Sequence, residues 1–162
     1  FVIGVDHIIQ HGAYLDDQKK VAIEAFLRHL NKAVRKYNIS LIAEEFSEVA
    51  LSKSNTDYCT CREAANKLNI EHRFCDPTPK ERKALSIETN DEREMEWLRR
   101  VGDVKTRHIL FICGSSHLES FLSLLRKHSI ESVVLSDKWG FDYLGKGQVQ
   151  YFEVPCDIPH EA

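Results

Sequence analysis

Gly-x-x-His occurs twice in this chain, as Gly4…His7 and Gly114…His117, each time at the end of an apolar run. Neutral imidazole and carboxylate are common ligands of divalent cations such as zinc, cobalt and manganese. Glycine allows a tight turn and lets backbone approach a ligand closely. Acidic residues close other apolar runs: Glu44-Glu45 after Leu41–Ala43, Asp76 after Phe74-Cys75, and Asp137 after Val134–Ser136. Alternation turns one of the two glutamates toward the histidines. Glu44 is the first choice, with Glu45 and Asp137 as lesser candidates. The spacing thus predicts a divalent-metal site of His7, Glu44 and His117. His11 lies four residues beyond His7 and Asp6 precedes it, so both fall on the same rim.

Plainer readings stand beside these. A histidine after a strand is often only a cap, Asp76 before Pro77 suits a turn, and Asp137 suits a strand end. His29, His72, His108, His128 and His160 have no strand-end partner in sequence and read as packing or surface histidines. The amides of Gly114, Ser115 and Ser116, at a helix start, would form an anion site for a phosphate or nucleotide without any catalyst. No full GxGxxG or Walker loop accompanies them. Cys59 and Cys61 flank another helix start, where a thiolate is stabilised, but Cys-x-Cys is neither a redox pair nor half a zinc ribbon. Cys113, within an apolar run, reads as a small core hydrophobe.

These residues need elements to position them. Apolar periodicity alternates between strand-like and helix-like stretches, which predicts an α/β fold: one three-layer domain with a mainly parallel five-stranded sheet. Strands are expected at Phe1–Val5, Ser40–Ala43, Ile70–Phe74, His108–Cys113 and Ser132–Leu135. The clearest helix is Asp17–Lys36, whose Ile23, Phe26, Leu27, Leu30, Val34 and Tyr37 form a core stripe. Ser/Thr-x-x-Glu pairs at Thr60/Glu63, Thr78/Glu81, Thr89/Glu92 and Ser116/Glu119 predict capped helices near 61–69, 79–86, 90–101 and 117–128. The last places His117 in a first turn, where the dipole favours neutral imidazole. Residues 1–136 form the core. Residues 137–162 read as a C-terminal extension packed on it, with Trp139, Phe141 and Tyr143 packing, an edge strand over 148–154, and mobile last residues beyond Pro155 and Pro159. In such sheets ligands bind beyond the carboxyl ends of the strands, where these polar residues collect.

The chain has 162 residues, 43% hydrophobic and 29% charged, with 7 Gly and 4 Pro, which suits one ordinary globular domain. The formal net charge of −3 supplies no basic field for nucleic acid or anionic membrane. Nucleic acid is not indicated, a membrane partner is not expected, and a homodimer is left open. Five cysteines, an odd number, fit reduced thiols and a cytoplasmic location. The chain opens on Phe1 inside an apparent strand without a signal-peptide pattern, so a preceding segment is expected.

Taken in order, strand–Gly-x-x-His, strand–Glu, an Arg-bearing helix and strand–Gly-x-x-His resemble the TIKI/TraB and erythromycin-esterase/ChaN-like superfamily. The matching segments are Val2–His7, Leu41–Glu45, Glu92–Leu98 and Leu110–Leu118, spanning about residues 2–125. The resemblance implies a cleft lined by His7, Glu44, Arg93 and His117. Its members include metal-dependent peptidases, an ester-cleaving resistance enzyme and a haem-binding protein, so substrate class does not transfer with the fold. The expected function is that of a hydrolase acting on an ester, peptide or phosphoester bond in a small molecule or peptide. A divalent ion would lower the pKa of a bound water, Asp6 or His11 would act as general base, and Arg93 would stabilise developing negative charge. Without an ion, two histidines and a glutamate remain for acid–base work. The non-catalytic anion-binding module is the alternative.

Overall fold

The structure, a computed structural model, describes residues 1–12 and 16–149. Five strands form one parallel sheet: β1 Val2–Val5, β2 Leu41–Glu44, β3 Glu71–Phe74, β4 Ile109–Gly114 and β5 Val134–Trp139. Their spatial order is β3-β2-β4-β1-β5. The helices are α1 Asp17–Lys36, α2 Glu48–Lys53, α3 Thr60–Leu68, α4 Pro79–Ala84, α5 Asn90–Val101 and α6 Leu118–Lys127. Short 3-10 turns follow β1 at His7–Ile9 and β4 at Ser115–His117.

Alternation along the strands divides the core in two. Ile3, Val5, Ile42, Leu110 and Ile112 pack with α1 and α3 on one face. Val2, Leu41, Ala43, Phe111 and Cys113 pack with Trp97 and Val101 of α5 and Phe121 and Leu125 of α6 on the other. Every β2 residue is buried, as expected for a strand covered on both sides. The chain therefore leaves β1 toward one face and the adjacent β4 toward the other. Where neighbouring strands diverge in this way, a crevice opens at their carboxyl ends.

Local signals mark most helix starts. Thr78/Glu81 and Thr89/Glu92 form reciprocal capping boxes, each side-chain cap contributing about 1 kcal/mol. Two expected boxes do not form. Cys59, not Thr60, caps α3 by accepting from the Arg62 amide, because the Thr60 hydroxyl is drawn to the Ile9 carbonyl at 2.6 Å. Ser116 caps nothing: the 3-10 turn after β4 leads into α6 without a side-chain cap, leaving His117 just ahead of the helix. The six-residue α2, capped by Ser47, has no counterpart among the predicted helices.

The last strand starts two residues late and runs through Trp139, past the expected core boundary at 136. Trp139 is 2% exposed and lies 4.6 Å from the Phe26 ring, so burial carries the sheet into what read as an extension. Tyr143 stacks on Trp139, in line with the packing role expected for these aromatics. The register of β5 against β1 slips between Ile3↔Ser136 and Val5↔Trp139. The slip brings the Asp137 carbonyl over Gly4, where a Cβ would lie 2.2 Å from that oxygen, so only glycine fits. The edge strand expected over 148–154, with Pro155, Cys156, Pro159 and His160, falls on or beyond the limit of the described residues. Among those described, no helix is long and apolar enough to cross a membrane.

Candidate functional site

The crevice between β1, β4 and β2 gathers the two Gly-x-x-His histidines. Register pairs Val5 with Gly114, so the turn after β1 folds over the end of β4. A Cβ on Gly114 would lie 2.5 Å from His7 Nε2, so the glycine of one motif makes room for the histidine of the other.

The hydrogen bonds define both imidazoles. Gln10, three residues along the 3-10 turn, donates its amide N–H to Glu44 at 2.7 Å and turns its carbonyl oxygen to His7 Nδ1 at 2.6 Å. His7 Nδ1 therefore carries a proton, and Nε2 holds the lone pair when the ring is neutral. His117 Nδ1 donates to Glu94 Oε1 at 2.9 Å, where the Ser120 hydroxyl also donates, so its Nε2 likewise holds the lone pair in the neutral ring. Both nitrogens face one carboxylate: Glu45 Oε2 is 3.7 Å from His7 Nε2, and Glu45 Oε1 is 3.6 Å from His117 Nε2. The His7 side chain is 47% exposed, that of His117 13% and that of Glu45 2%.

Glu45, rather than the first-choice Glu44, is the residue between the histidines. β2 alternates, with Ile42 and Glu44 toward α1 and α3 and Ala43 and Glu45 toward α5 and α6; the histidine-bearing rim opens on the second side. Glu45 accepts from Arg93 Nη2 at 2.7 Å and from the Gly114 amide at 2.8 Å. Arg93 also donates through Nε to Asp76 at 2.6 Å, stacks 5.1 Å over Trp97 and brings Nη1 to 3.4 Å from His117 Nε2. It belongs to the rim rather than to a surface ion pair. Asp76 further accepts from the Trp97 indole and from Arg82. Burial alone would raise the Asp76 carboxyl, but the hydrogen bonds from Arg93 and Trp97 and the two guanidinium charges hold it below its ordinary range. Asp76 is thus the anchor of Arg93 rather than a turn former, which spacing alone did not disclose.

Asp6 and His11 take other places. The Asp6 carboxylate caps the 3-10 turn through the Ile8 amide and pairs with Lys146. Burial works to raise it, yet those hydrogen bonds, with the charges of Lys146 and of His7 when protonated, keep it low, so it is a weaker proton acceptor than a free carboxylate. His11 bridges to Cys59 through backbone and stacks on Phe46 at 6.0 Å. Burial, then the charges of Lys19 and His7, depress its imidazole. The proposed anion site is also altered. The Gly114 amide is already given to a carboxylate, whose charge would repel a phosphate at Ser115 and Ser116. Among the described residues, Asp137 Oδ1 is buried without a hydrogen-bond partner and does not group with the two histidines as a ligand.

Glu44 heads a second, sealed group. It is fully buried, and its Oε1 accepts from His72 Nε2 at 2.7 Å and from the Cys59 thiol at 2.9 Å. Glu44, Cys59 and His72 each offer a ligand atom within 4.8 Å of the others, so the group could hold a metal ion. His72, which read as a lone packing residue, gains its partner only from the β2–β3 pairing. Burial, and then Glu44, push the Cys59 thiol far up, which disfavours a catalytic thiolate.

The metal implied by the superfamily resemblance can be tested on the rim residues. Two lone-pair imidazoles and a carboxylate are suitable donor types. Their arrangement does not fit one ion: no choice of one atom from each of His7, Glu45 and His117 brings the three within 4.8 Å. Both Glu45 oxygens are already bonded, and the Arg93 cation lies where it supplies the balancing charge. Set against models of known protein families, curated proteins and solved structures, the chain matches none.

Proposed function

We propose that the chain is a hydrolase of the acyl-transfer kind, cleaving an ester or amide at the carboxyl rim of the sheet, with His7 as general base. The single observation that carries this is how His7 is held by Gln10. Its Nδ1–H is fixed by Gln10, and its Nε2 lone pair opens on a half-exposed crevice beside Glu45. In this reading Nε2 takes a proton from water as the water attacks the substrate carbonyl, and returns it to the departing alcohol or amine as the acyl bond breaks. Glu45 at 3.7 Å stabilises the imidazolium that forms. Arg93 is the oxyanion stabiliser. Three of its five N–H groups face Asp76, Glu45 and His117, and the others remain for the oxygen on which charge develops. His117 is a positioning residue: locked by Glu94, its Nε2 faces Arg93 Nη1.

Charge narrows the expected substrate. Around the two histidines, Glu45, Asp76 and Glu94 are set against Arg82 and Arg93, an excess of one negative charge. A phosphoester, itself anionic, suits this rim less than a neutral or cationic acyl compound.

The test is a screen of chelator-treated protein on activated esters and amides of small molecules and peptides, run beside His7→Gln. Loss of about 10²–10⁴ in rate in the variant is expected for a general base. Equal activity in His7→Gln, with its fold intact, would sink the proposal. Activity abolished by the chelator in the wild-type protein would turn the assignment to a metal mechanism.

A further inference from the structure

We infer that Glu44, Cys59 and His72 form a zinc-type metal site, separate from the rim histidines and serving to tie the edge of the sheet to α3. Three elements supply the donors: the end of β2, the residue capping α3, and β3 at the sheet edge. The donor set is one thiol, one imidazole and one carboxylate, the mixture that suits zinc or cobalt and not magnesium or calcium. The present separations from Glu44 Oε1 are 2.7 Å to His72 Nε2 and 2.9 Å to Cys59 Sγ. Ligands on a tetrahedral ion lie about 3.3–3.7 Å apart, given metal–ligand bonds of about 2.0–2.3 Å. Shifts of under about 1 Å in these two separations bring them to ligand spacing, the third, between Cys59 and His72, lies within 4.8 Å, and water completes the tetrahedron.

The surroundings prepare the ligands. Gln10 donates to Glu44 Oε2 and so orients the carboxylate with Oε1 toward Cys59 and His72. His72 packs edge-on against Phe74 at 4.6 Å, which fixes its ring plane. The His72 side chain is 9% exposed and lies on the edge strand, so an ion can enter from that side without crossing the core. Binding exchanges the Cys59 S–H proton, released to solvent, for a metal–sulfur bond. The Glu44 oxygen binds through a lone pair, and His72 Nε2 becomes a ligand once the proton it gives Glu44 has moved to Nδ1 or to solvent.

The inference does not rest on the hydrolase reading, and either can fail alone. The experiment is titration of chelator-stripped protein with cobalt(II), followed by absorption. One equivalent is expected to give a sulfur-to-cobalt charge-transfer band in the near ultraviolet and the intense visible bands of tetrahedral cobalt. Cys59→Ser should lose the charge-transfer band, and His72→Gln should weaken binding at least tenfold. Cys113→Ser and His7→Ala should keep both spectrum and affinity. No stoichiometric uptake, or a spectrum lost in His7→Ala and unchanged in Cys59→Ser, would overturn the assignment. Should Cys59→Ser fail to fold, X-ray absorption of the zinc-loaded wild-type protein decides. One sulfur at about 2.3 Å with nitrogen and oxygen at about 2.0–2.2 Å supports the site, and a shell of nitrogen and oxygen alone refutes it.

Discussion

Glu44 and Glu45 are neighbours in sequence, both almost wholly buried, yet they serve opposite kinds of environment. Glu45 meets a guanidinium, a backbone amide and two imidazoles, at a crevice open to solvent through His7. Glu44 meets a thiol, an imidazole and the Gln10 amide, with α3 and β3 closing over it. The first carboxylate is balanced by full charge and the second by hydrogen-bond donors. The lesson is that a carboxylate's chemistry follows the charge state of its partners more than its depth. Gln10 joins the two halves, with His7 on one side and Glu44 on the other.

The largest expected effect breaks the charged half. Arg93→Met leaves Glu45 buried without its cation and Asp76 with Arg82 alone, which should cost about 3–5 kcal/mol in urea unfolding. Arg93→Lys should recover only part of this, because one ammonium cannot span the three acceptors that the planar guanidinium reaches. A loss under about 1 kcal/mol in Arg93→Met would show that the charge balance assigned to Glu45 is wrong.

Next comes the direct comparison of the two glutamates. Glu45→Gln removes a charged acceptor from Arg93 and should cost about 2–3 kcal/mol, whereas Glu44→Gln, whose neighbouring donors can also donate to an amide oxygen, should cost about 1–2 kcal/mol. Equal losses would erase the distinction.

Acid should separate the halves further. The Asp76 carboxyl is held below its ordinary value, so its contribution is present above that value and is lost as pH falls through the lower, folded value. Unfolding followed from pH 6 to pH 3 should therefore show declining stability that is shallower in Asp76→Asn. Cys59→Ser should shift the whole profile without changing that slope, since its thiol is pushed upward and stays protonated across this range. A slope altered as much by Cys59→Ser as by Asp76→Asn would contradict the assignment.

The smallest effect on stability is expected at Gly114→Ala. Its backbone φ of −57° accepts alanine, and the clash is with the far end of a half-exposed imidazole. Stability should change by under about 1 kcal/mol. The ring must nonetheless leave the crevice, so the His7 imidazole resonances should move and any acyl cleavage should fall with them. Unmoved resonances would show that His7 does not depend on the bare glycine.

Much of this was legible in the chain itself. The paired Gly-x-x-His pattern, the polar ends of the apolar runs, the helix stripes and two of the capping boxes all came from local spacing, and the helices and strands they predict are present. Period-two alternation alone determined that Glu44 and Glu45 point to opposite faces. Which face carries the histidines was decided by the crossover connections, since α1 leaves β1 on one side and α6 leaves β4 on the other. Long-range pairing likewise decided that His72 meets Glu44, that Asp76 anchors Arg93 and that Trp139 enters the core. Short-range patterns record each residue's preference for a helix, a strand or a cap. Partners dozens of positions apart are selected only when sheet register and helix packing bring their side chains within hydrogen-bond reach.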